Sequence, residues 1–291
     1  MTDSPARTLA PLSPVVYEPI VRAALAEDFG LGGDVTSEAT VPAGAMARAR
    51  LVARVDGVLA GIDVALAVIR RLDPAARFEG VRSDGERVDP AATLATVAAD
   101  ARALLGAERT ALNLLSHLCG IATETNRYVA AVRATSCRIC ETRKTLPGLR
   151  ALEKYAVRAG GGSNHRFRLD DAILIKDNHV ALAGGVRAAL AGARARAGHL
   201  MRIEIEVDTL GQLAEVLAAG GADAILLDNF SLADLREAVG RIAGRAVVEA
   251  SGGVTLATVA AVAATGVDVI SVGALTHSAT ALDIGLDIAL D

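Results

Sequence analysis

Aromatic residues are scarce in this sequence: tryptophan is absent, and aromatic residues make up only 2% of the 291 residues. A ligand site therefore has few rings to stack against, and we expect charged groups, backbone amides and aliphatic side chains to form it. Lysine is scarce as well, since only Lys144, Lys154 and Lys176 occur among the 30 basic residues. Each retained lysine is therefore a candidate for a specific role.

Long hydrophobic runs are also missing. Apolar residues make up 52% of the chain, but no run approaches the roughly 18 residues that a membrane-spanning helix needs. The opening residues, MTDSPARTLAPLSP, contain no basic segment leading into an apolar core, so they predict no secretory signal. The net charge is −4 and no basic patch is present, which argues against nucleic acid as a partner. We expect a cytoplasmic protein that binds neither nucleic acid nor membranes.

The three cysteines are too few for a disulfide framework. Cys137 and Cys140 have the CxxC spacing, but their segment, SCRICET, alternates like a strand. Residues i and i+3 of a strand face opposite sides, so the two thiols cannot easily share a metal. We interpret them as small strand residues in a reducing compartment.

The first half of the chain mixes helices and strands. We predict a helix over 16–28, a strand over 47–60, a helix over 62–72, further short strands, and a long helix over 107–133. The turn FGLGGD follows a helix instead of a strand, so it fails the context of a dinucleotide-binding loop. These features indicate an α+β domain.

From residue 136 onward, apolar strands alternate strictly with helical segments, which is typical of a parallel sheet with both faces covered. An open doubly wound sheet and a closed or incomplete barrel both fit this rhythm. The barrel is favoured because polar or small residues occupy all six predicted strand ends, where barrel enzymes place their chemistry. These residues are Lys144, Lys176, Glu206, Asp228, Ser251 and Gly273. A doubly wound sheet would concentrate them near one switch point.

Several of these residues suggest particular chemistry. Glu206 and Asp228, on neighbouring predicted strands, form a possible site for magnesium or a cationic substrate, whereas either acid alone would suit an ion pair with arginine. Lys176 interrupts an apolar strand, and its ammonium suits a phosphate or carboxylate. Lys144 directly follows Arg143, so a surface basic pair is the alternative to a functional role.

The loops add further candidates. The flexible stretch GGGSN precedes His165 and Arg166 and could fold back over a site. The loops Ala250–Gly253 and Ser271–Ala274 expose backbone N–H groups that suit a phosphate, although they could simply be tight turns. His277 follows the last strand and could equally cap a helix. Arg109 lies in the first turn of the predicted long helix, where a cation opposes the helix dipole.

Several motifs occur in one order along the chain: FGLGGDVTS, GAERTALNLLSHLCGIAT, ETRKTLPGLR, GGGSNHR, LIKDNH, EIEV, LLDNF, EASGG and ISVGALTHS. In these motifs the chain resembles the quinolinate phosphoribosyltransferase family over nearly its whole length. The resemblance implies an N-terminal α+β sandwich domain and an incomplete, TIM-like α/β barrel in a homodimer. It also implies condensation of quinolinate with phosphoribosyl pyrophosphate, which yields nicotinate mononucleotide, pyrophosphate and carbon dioxide for de novo NAD biosynthesis.

The resemblance also implies roles for individual residues. Lys144, Glu206 and Asp228 would be catalytic, and Glu206 and Asp228 would hold Mg²⁺. Arg109 would reach the site from the partner subunit. Substrate contacts would come from Arg109, Thr142, Arg143, Lys144, His165, Arg166, Lys176, Glu206, Asp228, Ser251, Gly252, Gly253, Val272, Gly273, Ala274 and His277. Arg168 stands where the family usually has glycine, which bears on the path of the loop that carries His165.

The expected division is an N-terminal domain over 1–114, a barrel domain with the phosphoribosyl site over 115–277, and a C-terminal helix over 278–291 that packs back on the first domain. Two other functions fit the same residues less well. A phosphoribosyltransferase for nicotinate needs fewer cations, because its substrate carries one carboxylate. A ligand-binding barrel without catalysis would have no need of Lys144, Glu206 and Asp228.

Overall fold

A computed structural model describes residues 9–289. Residues 1–8 and 290–291, which belong to the predicted N-terminal domain and C-terminal helix, lie outside the described residues. Within 9–289, no helix is long and apolar enough to cross a membrane. The chain forms two compact units. Of the described residues, the first unit comprises 9–126, Thr145–Gly161 and 278–289, and the second comprises Arg127–Lys144 and Gly162–His277.

The helices are α1 (Pro14–Phe29), α2 (Val35–Thr40), α3 (Ile62–Leu72), α4 (Ala101–Val132), α5 (Arg150–Ala159), α6 (Asp177–Ala183), α7 (Val186–Arg196), α8 (Leu210–Ala219), α9 (Leu232–Ile242), α10 (Val259–Ala263) and α11 (Ala274–His277). The strands are β1 (Met46–Ala53), β2 (Gly57–Val58), β3 (Arg77–Glu79), β4 (Arg87–Val88), β5 (Thr93–Asp100), β6 (Arg138–Cys140), β7 (Ile173–Ile175), β8 (Ile203–Val207), β9 (Ala224–Asp228), β10 (Val247–Ser251), β11 (Val269–Ser271) and β12 (Ile284–Ala289).

The first unit contains a four-stranded antiparallel sheet in the order β12-β1-β5-β3 and a two-stranded sheet of β2 and β4. In β1 the buried Ala49 and Leu51 alternate with the exposed Arg48 and Arg50. This alternation is typical of a sheet with one face in the core and one in solvent. Side chains of α1, α3, α4 and α5 share the core with the sheet, as the α+β prediction requires.

The predicted C-terminal helix is wrong. The last described residues form β12, which pairs antiparallel with β1 from Ala53↔Ile284 to Arg48↔Ala289. The sequence IGLDI alternates with a period of two, which suits a strand better than a helix. On one face Ile284 joins the core, and on the other Asp287 forms an ion pair with Arg54.

The helix α4 begins earlier than predicted, at Ala101, because the Asp100 side chain accepts a hydrogen bond from the Ala103 amide at 3.0 Å and caps the first turn. Arg109 therefore lies beyond the first two turns, and the argument from the helix dipole does not apply to it. The helix also continues unbroken through the predicted boundary at residue 114, and the division between the units falls after Asn126. The crossover helix α5, predicted as part of the barrel, belongs to the first unit.

The second unit is a parallel sheet of six strands in the order β6-β11-β10-β9-β8-β7. Consecutive strands from β7 to β11 are neighbours, and β11 pairs with β6, the first strand of the unit. This cyclic order is that of a barrel open between β6 and β7, where a single bridge joins Cys140 to Ser163. A doubly wound sheet would reverse its order at a switch point, so the prediction of an incomplete α/β barrel is confirmed.

Alternating side chains within the strands determine what lies inside the barrel. In β8, Ile203, Ile205 and Val207 pack in the apolar core. Their neighbours Glu204 and Glu206 point to the opposite face. The barrel interior therefore carries polar side chains, and the apolar core lies between the strands and the helices.

Candidate active site

The carboxyl ends of the barrel strands enclose a cavity of about 420 Å³ within the second unit. It brings together most of the residues predicted from strand ends and loops. The predicted residues that line this cavity are Thr142, Arg143, Lys144, His165, Arg166, Lys176, Glu206, Asp228 and Ser251. Two of the three lysines thus line one cavity, whereas Lys154 is fully buried in α5 of the first unit.

Arginines and Lys176 make part of this cavity basic. The Nε atoms of Arg143 and Arg166 are buried and have no hydrogen-bond partner among the described residues. Burial and the adjacent Arg143 lower the pKa of Arg166. Lys176 Nζ forms an ion pair with Glu206 Oε2 at 2.6 Å. Unsatisfied buried donors and crowded positive charge are the properties expected of a site for an anion.

Lys144 is held at the mouth of the cavity by contacts with its backbone. Its amide donates to Thr142 Oγ1 at 3.0 Å, and its carbonyl oxygen accepts from Thr276 Oγ1 at 2.8 Å. Gly273 leaves room for the lysine side chain, because a Cβ at this position would lie 2.9 Å from Lys144 Cδ and 3.4 Å from His277 Nε2. These contacts fix the backbone of Lys144, and its side chain lines the cavity.

The loops after β10 and β11 match the prediction of a phosphate site only in part. Gly252 has φ +92°, and a side chain there would collide with Asn229, so the turn requires glycine. Gly253 has φ +58° and open space around it. The Val272 amide, by contrast, donates to the Cys140 carbonyl at 2.9 Å, and its side chain lies in the core. Val272 therefore offers no free amide to a phosphate, and Gly273 and Ala274 are the remaining candidates of that loop.

The two predicted metal ligands, Glu206 and Asp228, line the same cavity. Carboxylate oxygens are the donors that Mg²⁺ prefers, so the chemistry of this pair fits the metal. Each carboxylate already has one protein partner: Glu206 pairs with Lys176, and Asp228 Oδ2 accepts from Asn229 Nδ2 at 2.7 Å. Both groups therefore enter the cavity in a fixed orientation.

The loop that carries His165 is anchored beneath the cavity. Glu141, which is fully buried, accepts hydrogen bonds from the Asn164 side chain at 3.1 Å and the His165 amide at 3.2 Å. The amides of Phe167 and Arg168 both donate to Asp171 Oδ2. Positive φ values among non-glycine residues in the described range occur only at Ala91, Asn229 and Ala243. Arg168, at the position where the resemblance implies glycine, therefore has no backbone strain of this kind.

A deeper layer of the cavity was not predicted. This layer consists of Leu174, Leu226, Glu249 and Ser271. The first three each precede a predicted residue by two positions (Lys176, Asp228 and Ser251), and Ser271 ends β11. Residues i and i−2 of a strand face the same side, so this spacing could have identified Glu249 within the motif EASGG. His165, expected to bind a substrate carboxylate, lines the cavity and places its Nε2 3.2 Å from Glu204 Oε2.

Arg109 is not among the residues that line this cavity. It is exposed on α4 in the first unit and lines a separate cavity there with Asp28 and Asp34. The tertiary structure of one chain therefore does not account for the role that the resemblance gives to Arg109.

Together, an incomplete parallel barrel and a cavity with basic, acidic and glycine-rich sections define a class of enzyme that binds anionic substrates at the carboxyl ends of its strands. The profile of the quinolinate phosphoribosyl transferase C-terminal domain matches residues 121–287, and that of the N-terminal domain matches residues 34–119. The chain belongs to the quinolinate phosphoribosyl transferase family.

Individual relatives agree with this assignment. The carboxylating nicotinate-nucleotide pyrophosphorylase of Mycobacterium leprae is 52% identical over 276 residues, which cover 92% of this chain and 95% of that protein. A probable carboxylating nicotinate-nucleotide pyrophosphorylase of Bacillus subtilis is 43% identical, with coverages of 91% and 90%. The solved structure of the nicotinate-nucleotide pyrophosphorylase of Francisella tularensis superimposes with a TM-score of 0.92 at 37% identity and covers 98% of this chain and 100% of its own.

Proposed function

We propose that this chain transfers the phosphoribosyl group of phosphoribosyl pyrophosphate to quinolinate, with loss of carbon dioxide, and so forms nicotinate mononucleotide and pyrophosphate in de novo NAD biosynthesis. The observation that carries this proposal is that one cavity combines Arg143, Arg166 and Lys176 with Lys144 and two carboxylates. Relatives named for this chemistry, which cover more than nine-tenths of the chain, support it.

Quinolinate occupies the basic part of the cavity in this proposal. Its two carboxylates satisfy the buried Nε donors of Arg143 and Arg166 and bind Lys176, while Leu174 and Leu226 contact the ring. Lys176 exchanges its ion pair with Glu206 for the substrate as the site fills. A dicarboxylate suits this number of cations better than nicotinate, which carries a single carboxylate.

Phosphoribosyl pyrophosphate occupies the remaining part. Ser251, Gly252 and Gly253 bind its 5′-phosphate with Gly273 and Ala274, and His277 lies nearby at the end of α11. Glu206 and Asp228 bind the ribose hydroxyls and would hold Mg²⁺, which neutralises pyrophosphate charge when bound. Thr142 supports the Lys144 loop through its hydroxyl.

The reaction needs no covalent nucleophile from the protein, because the pyridine nitrogen of quinolinate attacks C1 of the ribose. The bond to pyrophosphate breaks through a cationic, oxocarbenium-like state. The chain holds the two reactants in line, and Lys144 neutralises negative charge that develops on the leaving oxygen. The alkylated nitrogen is then positively charged, so it stabilises the carbanion left on the adjacent ring carbon when carbon dioxide departs.

A homodimer completes the site in this proposal, with Arg109 of a second copy reaching the quinolinate carboxylates. Arg109 is exposed and lines no part of the barrel cavity of its own chain, which is what a residue donated to another subunit requires. The three cysteines are free, and we place the protein in the reducing cytoplasm.

The decisive experiment mixes the protein with Mg²⁺, phosphoribosyl pyrophosphate and quinolinate labelled at the 2-carboxylate. Release of labelled carbon dioxide together with nicotinate mononucleotide is expected. Parallel reactions with nicotinate test the monocarboxylate alternative, and turnover of nicotinate without labelled carbon dioxide from quinolinate would contradict the proposal. Substrate binding without any Mg²⁺-dependent turnover would favour a binding protein.

A further inference from the structure

His165 and Glu249, which line the substrate cavity, form a buried group of ionisable side chains with Glu204 beside it, and the proposed reaction gives this group no role. Nε2 of His165 lies 3.2 Å from Glu204 Oε2 and 3.6 Å from Glu249 Oε1. The ligand atoms of all three residues lie within 4.8 Å of one another. Only 9% of Glu204 and 5% of Glu249 is exposed. Two carboxylates at such depth require a cation or a proton to balance them.

The histidine decides against a metal ion. Its Nδ1 accepts a hydrogen bond from the backbone N–H of Arg166 at 2.7 Å. A neutral imidazole that accepts at Nδ1 carries its hydrogen on Nε2, which is the nitrogen facing both carboxyl groups. A metal would need the lone pair of that nitrogen. The Arg166 guanidinium faces Glu204, so Glu249 is the carboxyl whose charge is left for a proton to balance.

Glu249 is the member that holds this proton. The single hydrogen on Nε2 serves the nearer acceptor, Glu204. Glu249 Oε1 is buried and has no hydrogen-bond partner among the described residues. Burial, reinforced by the charge of Glu204, raises the pKa of Glu249 to about 7, and the nearby His165 opposes this shift. A carboxylic acid is thus present near neutral pH in the cavity that also holds the cations of Arg143, Arg166 and Lys176.

Glu249 also has access to a second cavity. It lines the substrate cavity at the carboxyl ends of the strands, and it lines a cavity of about 200 Å³ toward their amino ends. Arg138 and Val269, at the starts of β6 and β11, border this lower cavity. After Glu249 has given up its proton, a new one can therefore reach it from the lower cavity.

We propose that Glu249 is the acid that supplies the hydrogen replacing carbon dioxide on the substrate ring, an inference that rests on the proposed function. The bond between ring carbon C2 and its carboxylate breaks, carbon dioxide leaves, and the electron pair remains on C2. The O–H bond of Glu249 then breaks, its electron pair stays on the carboxylate, and the proton forms the new C2–H bond. Water returns a proton to Glu249 before the next turnover.

The test measures the hydrogen isotope at C2 of nicotinate mononucleotide formed in an equal mixture of H₂O and D₂O. Wild-type protein is compared with Glu249→Gln, whose neutral amide preserves the shape of the acid, and with Glu215→Gln at an exposed position of α8. Glu249 carries one hydrogen, and this hydrogen is transferred to C2 whether it is protium or deuterium. The nicotinate mononucleotide formed by the wild type and by Glu215→Gln should therefore contain both isotopes at C2 in the solvent proportion. In Glu249→Gln water supplies the hydrogen, protium reacts faster, and the product should be enriched in protium.

The proposal would be overturned if the wild-type product were as enriched in protium as the product of Glu249→Gln. If Glu249→Gln forms no product, the ratio of protium to deuterium at C2 of the wild-type product decides alone. Formation of nicotinate mononucleotide by the wild type tests the proposed function separately. No product from the wild type would refute the proposed function and this assignment together.

Discussion

A protonated Glu249 makes the stability of the barrel depend on pH in a way that one substitution should remove. Folding raises the pKa of this carboxyl from its ordinary 4.5 to about 7, mainly because the group is buried. Below pH 4.5 the Glu249 carboxyl is protonated in both the folded and the unfolded state, so its ionisation does not lower the free energy of unfolding. As the pH rises toward 7 the unfolded chain ionises and the folded chain does not, so the folded state loses stability relative to the unfolded state.

The size of this loss follows from the shift. A difference of one pKa unit corresponds to about 1.4 kcal/mol, so the shift from 4.5 to about 7 amounts to about 3 kcal/mol once the pH exceeds 7. Glu249→Gln cannot ionise and escapes this cost. With an unfolding entropy of about 2 cal/mol/K per residue, the variant should melt about 5 °C above the wild type at pH 8.5.

The assay is thermal unfolding followed from pH 4.5 to 8.5 for the wild type, Glu249→Gln and the exposed control Glu215→Gln. Near pH 4.5 the amide and the protonated acid are equivalent, so the wild type and Glu249→Gln should have similar Tm values. The gap should open between pH 5 and pH 7, and Glu215→Gln should follow the wild type throughout. A constant difference in Tm at every pH would show that the Glu249 carboxyl is ionised in the folded protein, and the reasoning would fail.

Three further predictions concern the substrate site. Lys176→Ala should raise the KM for quinolinate roughly 10- to 100-fold, because a hydrogen bond to a charged group is worth about 1.5–3 kcal/mol. An unchanged KM in steady-state kinetics would show that Lys176 does not bind a quinolinate carboxylate. Arg109→Ala should be inactive alone. Co-expression with Lys176→Ala should give mixed dimers with one intact site, so activity at low quinolinate should exceed that of either variant alone, and no such gain would argue against a shared site. Gly252→Ala should lower the free energy of unfolding by about 1–3 kcal/mol, because φ is +92° and the new Cβ collides with Asn229. It should also weaken the binding of phosphoribosyl pyrophosphate measured by calorimetry, and an unchanged affinity would show that this turn does not bind the phosphate.

The sequence alone was sufficient for features that depend on local periodicity. Apolar strands alternating with helices predicted a parallel barrel, and the strand ends predicted which side chains would meet. Lys144, Lys176, Glu206 and Asp228 are far apart in the chain, yet they line one cavity. They meet because the carboxyl ends of parallel strands share one edge of the sheet, so position along each strand is enough to place them.

Only the tertiary structure decided features that depend on distant partners. The segment Ile284–Ala289 is a strand because β1 offers it an edge more than two hundred residues away in the chain, and α5 leaves the barrel because its apolar face packs in the first unit. His165 was predicted to bind substrate and lines the cavity, and only folding shows that its Nε2 also lies close to Glu204 and Glu249. Charge and burial at that point arise from three separate segments, so no single stretch of sequence could show that the floor of the site holds a proton.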